Sequence, residues 1–225
     1  MSFRELGAAL PQILETGFEF ADDSAMQRVA LAVGLVWATA VAAAGCATPP
    51  TSSNDVRPRP NLTAADFYPL TPGWKWAYDV ERDGINILAT YAVVERTGDT
   101  AVVQAGDEKL TYVITPQGIA QVEGGAPGDF VIKNPVAPGA EWPVSGGKAR
   151  IDSVTADFRL DSGEHYLGCI VVEVTRTDPV RITRTTFAPD LGPVALEVQV
   201  QDGPKFVTTT RARLRAVTRP GDRTP

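Results

Sequence analysis

Residues 73 to 80 read G-W-K-W-A-Y-D-V. In an extended chain Trp74, Trp76, Tyr78 and Val80 fall on one side, and Lys75, Ala77 and Asp79 on the other, because successive side chains of a strand point to opposite faces. A helix would scatter the same residues around its circumference. Pro72 and Gly73 stand at the start of the run, where proline presets φ for a turn and glycine accepts a positive one. One apolar face, one mostly polar face and a turn at the boundary define a half-buried strand.

The same signature recurs downstream. Short stretches with period-two alternation or β-branched enrichment run near 74–81, 86–96, 99–105, 109–115, 118–123, 128–133, 148–160, 165–177, 180–188, 193–201 and 204–217. Between them lie R-D-G-I-N, T-G-D-T, A-G-D-E, T-P-Q-G, D-S-G-E, T-D-P and Q-D-G-P, all hairpin or turn chemistry. No stretch from Phe67 onward sustains a helical apolar period beyond about ten residues, and no 20–50-residue repeat is present. In H-Y-L-G-C-I-V-V-E-V-T, residues 165–175, the middle is apolar on both faces, which predicts a strand paired on both sides. Cys169 within it reads as a buried small hydrophobe. The expected fold is all-β: one antiparallel domain of about ten strands over 64–218, a curved open sheet or barrel-like, with a sandwich as the alternative.

Upstream of this domain the chemistry changes. Residues 29–44, V-A-L-A-V-G-L-V-W-A-T-A-V-A-A-A, carry no charge. As a helix they would span about 24 Å, short of the roughly 20 residues that a bilayer core requires. The length fits the apolar core of a secretory signal ending in small residues. Ala43, Ala44, Gly45 and Cys46 resemble the bacterial lipobox. That resemblance implies acylation of the Cys46 thiol, removal of the peptide before it, and anchoring by more than one acyl chain. Two chains make an anchor stable where one is marginal, at about 0.8 kcal/mol per buried CH₂. In lipoproteins of enterobacterial type, aspartate after the cysteine favours inner-membrane retention. Ala47 stands there, so the resemblance points to the outer membrane. If Cys46 is acylated, Cys169 is a free thiol.

Residues 1–28 carry Glu5, Glu15, Glu19, Asp22 and Asp23 against Arg4 and Arg28, five acidic groups to two basic. A signal peptide begins with a positive segment, so translation from Met26 is expected. This makes 1–25 a mis-assigned extension and 26–45 the signal. Residues 46–63 are then the lipidated cysteine and its linker. Residues 47–63, A-T-P-P-T-S-S-N-D-V-R-P-R-P-N-L-T, hold four prolines and read as a disordered, solvated tether. It spans about 20 to 25 Å as coil and towards 50 Å as polyproline II. Residues 219–225 read as a disordered tail.

Two segments of the domain resemble a group of uncharacterised bacterial lipoproteins. F-Y-P-L-T-P-G-W-K-W-A-Y, residues 67–78, is similar to their aromatic-Pro-Leu opening, Pro-Gly turn and W-x-Y strand. F-A-P-D-L-G-P-V-A-L-E, residues 187–197, is similar to a later aromatic-A-P-x-x-G-x-V-x-x-E segment. The strand at 163–173 resembles them loosely, while Pro193 replaces a usual aliphatic residue. The resemblance implies a fold and a location, and no reaction.

Candidate chemistry is sparse. Asp161, Ser162, Glu164 and His165 place an acid, a hydroxyl and an imidazole within five residues. Catalytic triads, however, gather their members from separate elements, and D-S-G-E reads as a hairpin turn. Asp152, Asp157, Asp161 and Glu164 lack the tight spacing of a calcium loop. One histidine and two cysteines are a poor inventory for zinc. Arg176, Arg181 and Arg184 form a basic band, expected on the outer face of two neighbouring strands with T-T-T-R-A-R-L-R opposite. Trp74, Trp76, Tyr78 and Trp142 are candidate ligand contacts if the sheet encloses a concavity; otherwise they are core.

The net charge of -6 disfavours nucleic acid. The expected role is a membrane-anchored, non-enzymatic binding or envelope-assembly module without a cofactor, its partner an envelope protein or a hydrophobic ligand. The alternative is a periplasmic carrier of lipids or small hydrophobic molecules in a half-barrel.

Overall fold

The computed structural model describes residues 61–222. The extension, the signal, Cys46, most of the tether and the last three residues therefore lie outside the described residues.

A single helical turn, α1 (Ala64–Phe67), opens the described chain. Asp66 secures it by accepting hydrogen bonds from the Thr63 backbone N–H at 2.7 Å and the Thr63 hydroxyl at 2.8 Å, a reciprocal N-terminal cap. Twelve antiparallel strands follow: β1 (Lys75–Arg82), β2 (Ile85–Thr97), β3 (Thr100–Ala105), β4 (Glu108–Thr115), β5 (Gly118–Glu123), β6 (Ala126–Lys133), β7 (Glu141–Val144), β8 (Gly147–Arg159), β9 (His165–Thr177), β10 (Val180–Ala188), β11 (Gly192–Asp202) and β12 (Lys205–Thr218). They make one sheet in the order β6-β5-β4-β3-β2-β1-β12-β11-β10-β9-β8-β7. The all-β expectation holds, with twelve strands in place of about ten.

The sheet is nearly closed and barrel-like. β1 pairs with β12 along its whole length, from Lys75 opposite Thr218 to Arg82 opposite Thr210. The ends of the sheet are β6 and β7, and side chains bridge the slit between them. The Trp142 indole donates to the Phe130 carbonyl at 2.9 Å. Ser145 donates its backbone N–H to Asp129 Oδ2 at 2.7 Å and its hydroxyl to Oδ1 at 3.2 Å. β7, E-W-P-V, is the strand that sequence patterning passes over. It is four residues long and carries Pro143, and proline within a run argues against a central strand. Because β7 pairs only with β8, Pro143 sits on an edge where its missing donor costs no ladder bond.

The inside is filled by Trp76, Tyr112, Phe67, Phe187, Leu70 and Ile119, all essentially inaccessible to solvent. The two segments singled out by resemblance meet here across the interior. Trp76 donates its indole N–H to the Leu191 carbonyl at 2.7 Å, and the Tyr78 hydroxyl donates to the Pro193 carbonyl at 2.7 Å. Asp190 donates its backbone N–H to the Asp66 carbonyl at 2.7 Å, and the Tyr68 ring lies 6.1 Å from that of Phe187. In the sheet β1 is separated from β11 by β12. The aromatics of β1 thus fasten the β10–β11 hairpin from across the core rather than through the ladder. Gly192, at φ +103°, lies against Trp76: a Cβ there would be 3.2 Å from the indole nitrogen.

The basic band is not an outer face. β11 lies between β10 and β12, so the two arginine-bearing stretches are not neighbours. Arg181 is opposite Arg176 in the β9–β10 ladder, on the side of the pleat that holds Thr183, Thr185 and Phe187. Arg176 is itself buried. Arg184 takes the opposite side, where it pairs with Glu173 at 2.8 Å. Arg181 and Arg184, three residues apart on β10, fall on opposite faces of a period-two strand, while Arg176 shares the face of Arg181 because the β9–β10 ladder sets the two opposite one another.

Candidate functional site

Strand alternation puts the β2–β3, β4–β5, β6–β7, β8–β9 and β10–β11 connections at the end where β1 begins. The chain enters at this end, and α1 lies across it. Beside α1 opens a cleft of about 730 Å³. Its apolar walls come from Leu62, Phe67, Val136, Val154, Leu167 and Ile170. Asn61, Thr63, Gln117 and Asn134 add polar, uncharged groups, and no lining residue is ionisable.

Asn134 holds this rim together. Its Oδ1 accepts from the Ala64 backbone N–H at 2.9 Å, tying α1 down. Its Nδ2 donates to the Pro116 carbonyl at 3.0 Å, and its own N–H donates to the Gln117 carbonyl at 2.8 Å. Three separate segments are thereby fixed by one amide. Gly118, at φ +141°, allows the close approach beneath: a Cβ there would collide with the Ile132 carbonyl. Gly168, at φ +68°, meets open space where its side chain would be.

The aromatic candidates take no part in the cleft. Trp74, Trp76, Tyr78 and Trp142 are all buried in the core. Trp74 stacks on Trp76 with ring centroids 5.8 Å apart, and Tyr78 meets Tyr91 edge-on at 5.5 Å. The donors of Trp76, Tyr78 and Trp142 are consumed by the carbonyls of Leu191, Pro193 and Phe130, as buried indoles and phenols require. Burial raises Tyr78 and Tyr112 well above the ordinary tyrosine range. Cys169 is free and fully buried, and burial pushes its thiol up to about 12.

The acid, hydroxyl and imidazole at 161–165 do not assemble a relay. The Ser162 hydroxyl donates to Glu164 at 3.3 Å, while His165 Nε2 lies 2.9 Å from Asp157 Oδ2. Asp157 belongs to β8, the strand adjacent to β9, and is exposed. The hydrogen bond from His165, more than its charge, holds the Asp157 carboxyl below its usual range. The carboxylates whose spacing argued against a calcium loop likewise have separate partners: Asp152 pairs with Arg150 at 2.8 Å and Asp161 with Arg213 at 3.8 Å. Among the described residues no group of three or more His, Cys, Asp or Glu is placed to hold a metal.

No family model matches the sequence, and no curated protein does. Two solved structures share part of the trace. One is a protein described as exported, with a YmcC-like fold, from Bacteroides fragilis; it is 12% identical with a TM-score of 0.43, covering 68% of this chain and 99% of its own. The other is a protein described as a lipoprotein, from Parabacteroides distasonis; it is 15% identical with a TM-score of 0.38, covering 67% of this chain and 97% of its own. Neither carries an activity across to this chain.

Proposed function

We propose that the chain is a lipid-anchored protein of the bacterial envelope whose barrel domain binds a ligand without transforming it. The observation that carries this reading is the cleft at the tether end. Its volume of about 730 Å³ falls in the range of small-molecule sites, roughly 300 to 1,000 Å³. Its walls offer shape and apolar surface but no ionisable group, which favours binding over catalysis. The anchor rests on the small residues before Cys46 and on the proline-rich tether after it. Ala47 favours the outer membrane over the inner. A carrier built on Trp74, Trp76, Tyr78 and Trp142 has less support, since those side chains pack against one another and against backbone carbonyls.

Mass spectrometry of the protein from native membranes tests the reading. The expected amino-terminal peptide begins at an acylated Cys46, and Cys46→Ser moves the chain into the soluble fraction. A chain that begins upstream of Cys46, or that stays membrane-bound as Cys46→Ser, overturns it.

A further inference from the structure

We infer that the cleft beside α1 receives an acyl chain of a lipid from the membrane to which the protein is tethered. This rests on the anchored reading above and names the ligand class of the same site.

The chemistry of the walls selects the ligand. Leu62, Phe67, Val136, Val154, Leu167 and Ile170 present apolar surface around about 730 Å³, and none of the described residues lining it is charged. A charged group drawn into such walls would lose its hydration without gaining a partner. A hydrocarbon chain gains by the same transfer, in proportion to the area it removes from water. A peptide backbone fits poorly, because each residue brings a donor and an acceptor that need partners. The central amide available, that of Asn134, is already engaged with Ala64 and Pro116. The tether itself, A-T-P-P-T-S-S-N-D-V-R-P-R-P over 47–60, is polar and does not match the walls.

Position selects the source. The described chain starts at Asn61, and Asn61, Leu62 and Thr63 themselves line the cleft. Fourteen residues, 47–60, separate that rim from Cys46. As coil they span about 20 Å, and fully extended in polyproline II about 43 Å. The anchor therefore holds the cleft, more closely than any other part of the barrel, beside lipid. The exposed apolar residues Ile85, Phe206 and Val207 flank the β1–β2 and β11–β12 turns at the opposite end, away from the tether. A lipid headgroup would remain outside, near Gln117 and Thr63, while its tail enters.

The test uses the full-length, membrane-processed protein reconstituted in phosphatidylethanolamine–phosphatidylglycerol vesicles. A fraction of the phosphatidylethanolamine carries a diazirine on one acyl chain. Illumination is expected to place adducts on peptides containing 134–136, 154 and 167–170. Val154→Trp and Val136→Trp, which fill the cleft, should lower those adducts at least tenfold, with Cys46 acylation unchanged. Adducts scattered over the barrel, or undiminished in both variants, overturn the inference. So does labelling by free diazirine palmitate alone, without labelling by the lipid. Should a tryptophan variant fail to fold, the wild-type adduct map still decides. The mass of the amino-terminal peptide is read in the same sample. Missing adducts with an acylated Cys46 remove the lipid occupant alone, whereas an unacylated terminus removes the anchored reading as well.

Discussion

Trp76 is the side chain whose removal should report most directly on how the barrel is held together. It is 1% exposed and donates to the Leu191 carbonyl at 2.7 Å. In Trp76→Phe that carbonyl is left buried without its donor, at a cost of about 1 to 3 kcal/mol. The lost ring removes roughly 40 to 50 Å² of apolar burial, about 1 kcal/mol at 25 cal/mol per Å². The sum, about 2 to 4 kcal/mol, lowers Tm by about 4 to 16 °C in a domain of this size. Gly192→Ala attacks the same joint from the other side. Its φ of +103° strains any L side chain, and the new methyl would stand 3.2 Å from the indole nitrogen and 3.3 Å from Cζ2. The strain alone is about 1 to 3 kcal/mol. Phenylalanine at 76 lacks both of the crowding atoms. The double variant should therefore be more stable than the sum of the singles by about 0.5 kcal/mol or more. Urea titrations followed by circular dichroism give all four corners of this cycle. A Trp76→Phe loss below about 0.5 kcal/mol, the level of an ordinary surface change, together with strict additivity, would refute the picture of β1 clamping the β10–β11 hairpin.

Three further outcomes are expected. Burial raises Tyr68, Tyr78, Tyr91 and Tyr112 above their ordinary 10.0, so the folded state holds protons that the unfolded state releases. Their contribution is complete below pH 10 and is lost as pH climbs above it; tyrosinate absorbance and loss of fold should rise together rather than separately. Cys169 is inaccessible and its thiol sits near 12, so a thiol reagent at pH 8 should label it only at the rate of opening and rapidly in urea; stoichiometric labelling of folded protein contradicts the structure. Trp142→Phe removes the indole bond to Phe130 across the β6–β7 slit, at about 1 to 3 kcal/mol for the stranded carbonyl. Amide exchange should quicken in β6 and β7 before it does in β1 or β12; uniform acceleration would count against a local seam.

Strand positions were legible because turn chemistry and alternation act locally. G-W-K-W-A-Y-D-V declares its two faces without any neighbour. β7 was not legible, because Pro143 counts against a strand until its edge position is known. Nor does alternation say which face is inside when polar residues occupy both. Arg181 looks like an outer-face residue until the register places it opposite Arg176 and on the same face of the strand as the buried Thr183 and Phe187. The cleft was invisible for a different reason. Leu62, Gln117, Asn134, Leu167 and Pro189 come from five separate segments, and each alone is an ordinary loop or strand residue. The aromatics drew notice as ligand contacts because they are large; their hydrogen bonds to Leu191, Pro193 and Phe130 reveal them as fastenings.

The strand order has a kinetic consequence. Every ladder but one joins strands consecutive in the chain, and the exception is β1 with β12. Two meanders, β1–β6 and β7–β12, can each zip from their own hairpins at small loop-closure cost. Only the β1–β12 pairing, Lys75 against Thr218, must find a partner across nearly the whole domain. Such long-range pairing is what slows β-proteins. A circular permutant joining residue 222 to residue 61 through a linker, which keeps α1 and the buried Phe67 and Leu70, and opened between Lys133 and Glu141, would shorten that closure to a nearby connection and should fold faster into the same barrel.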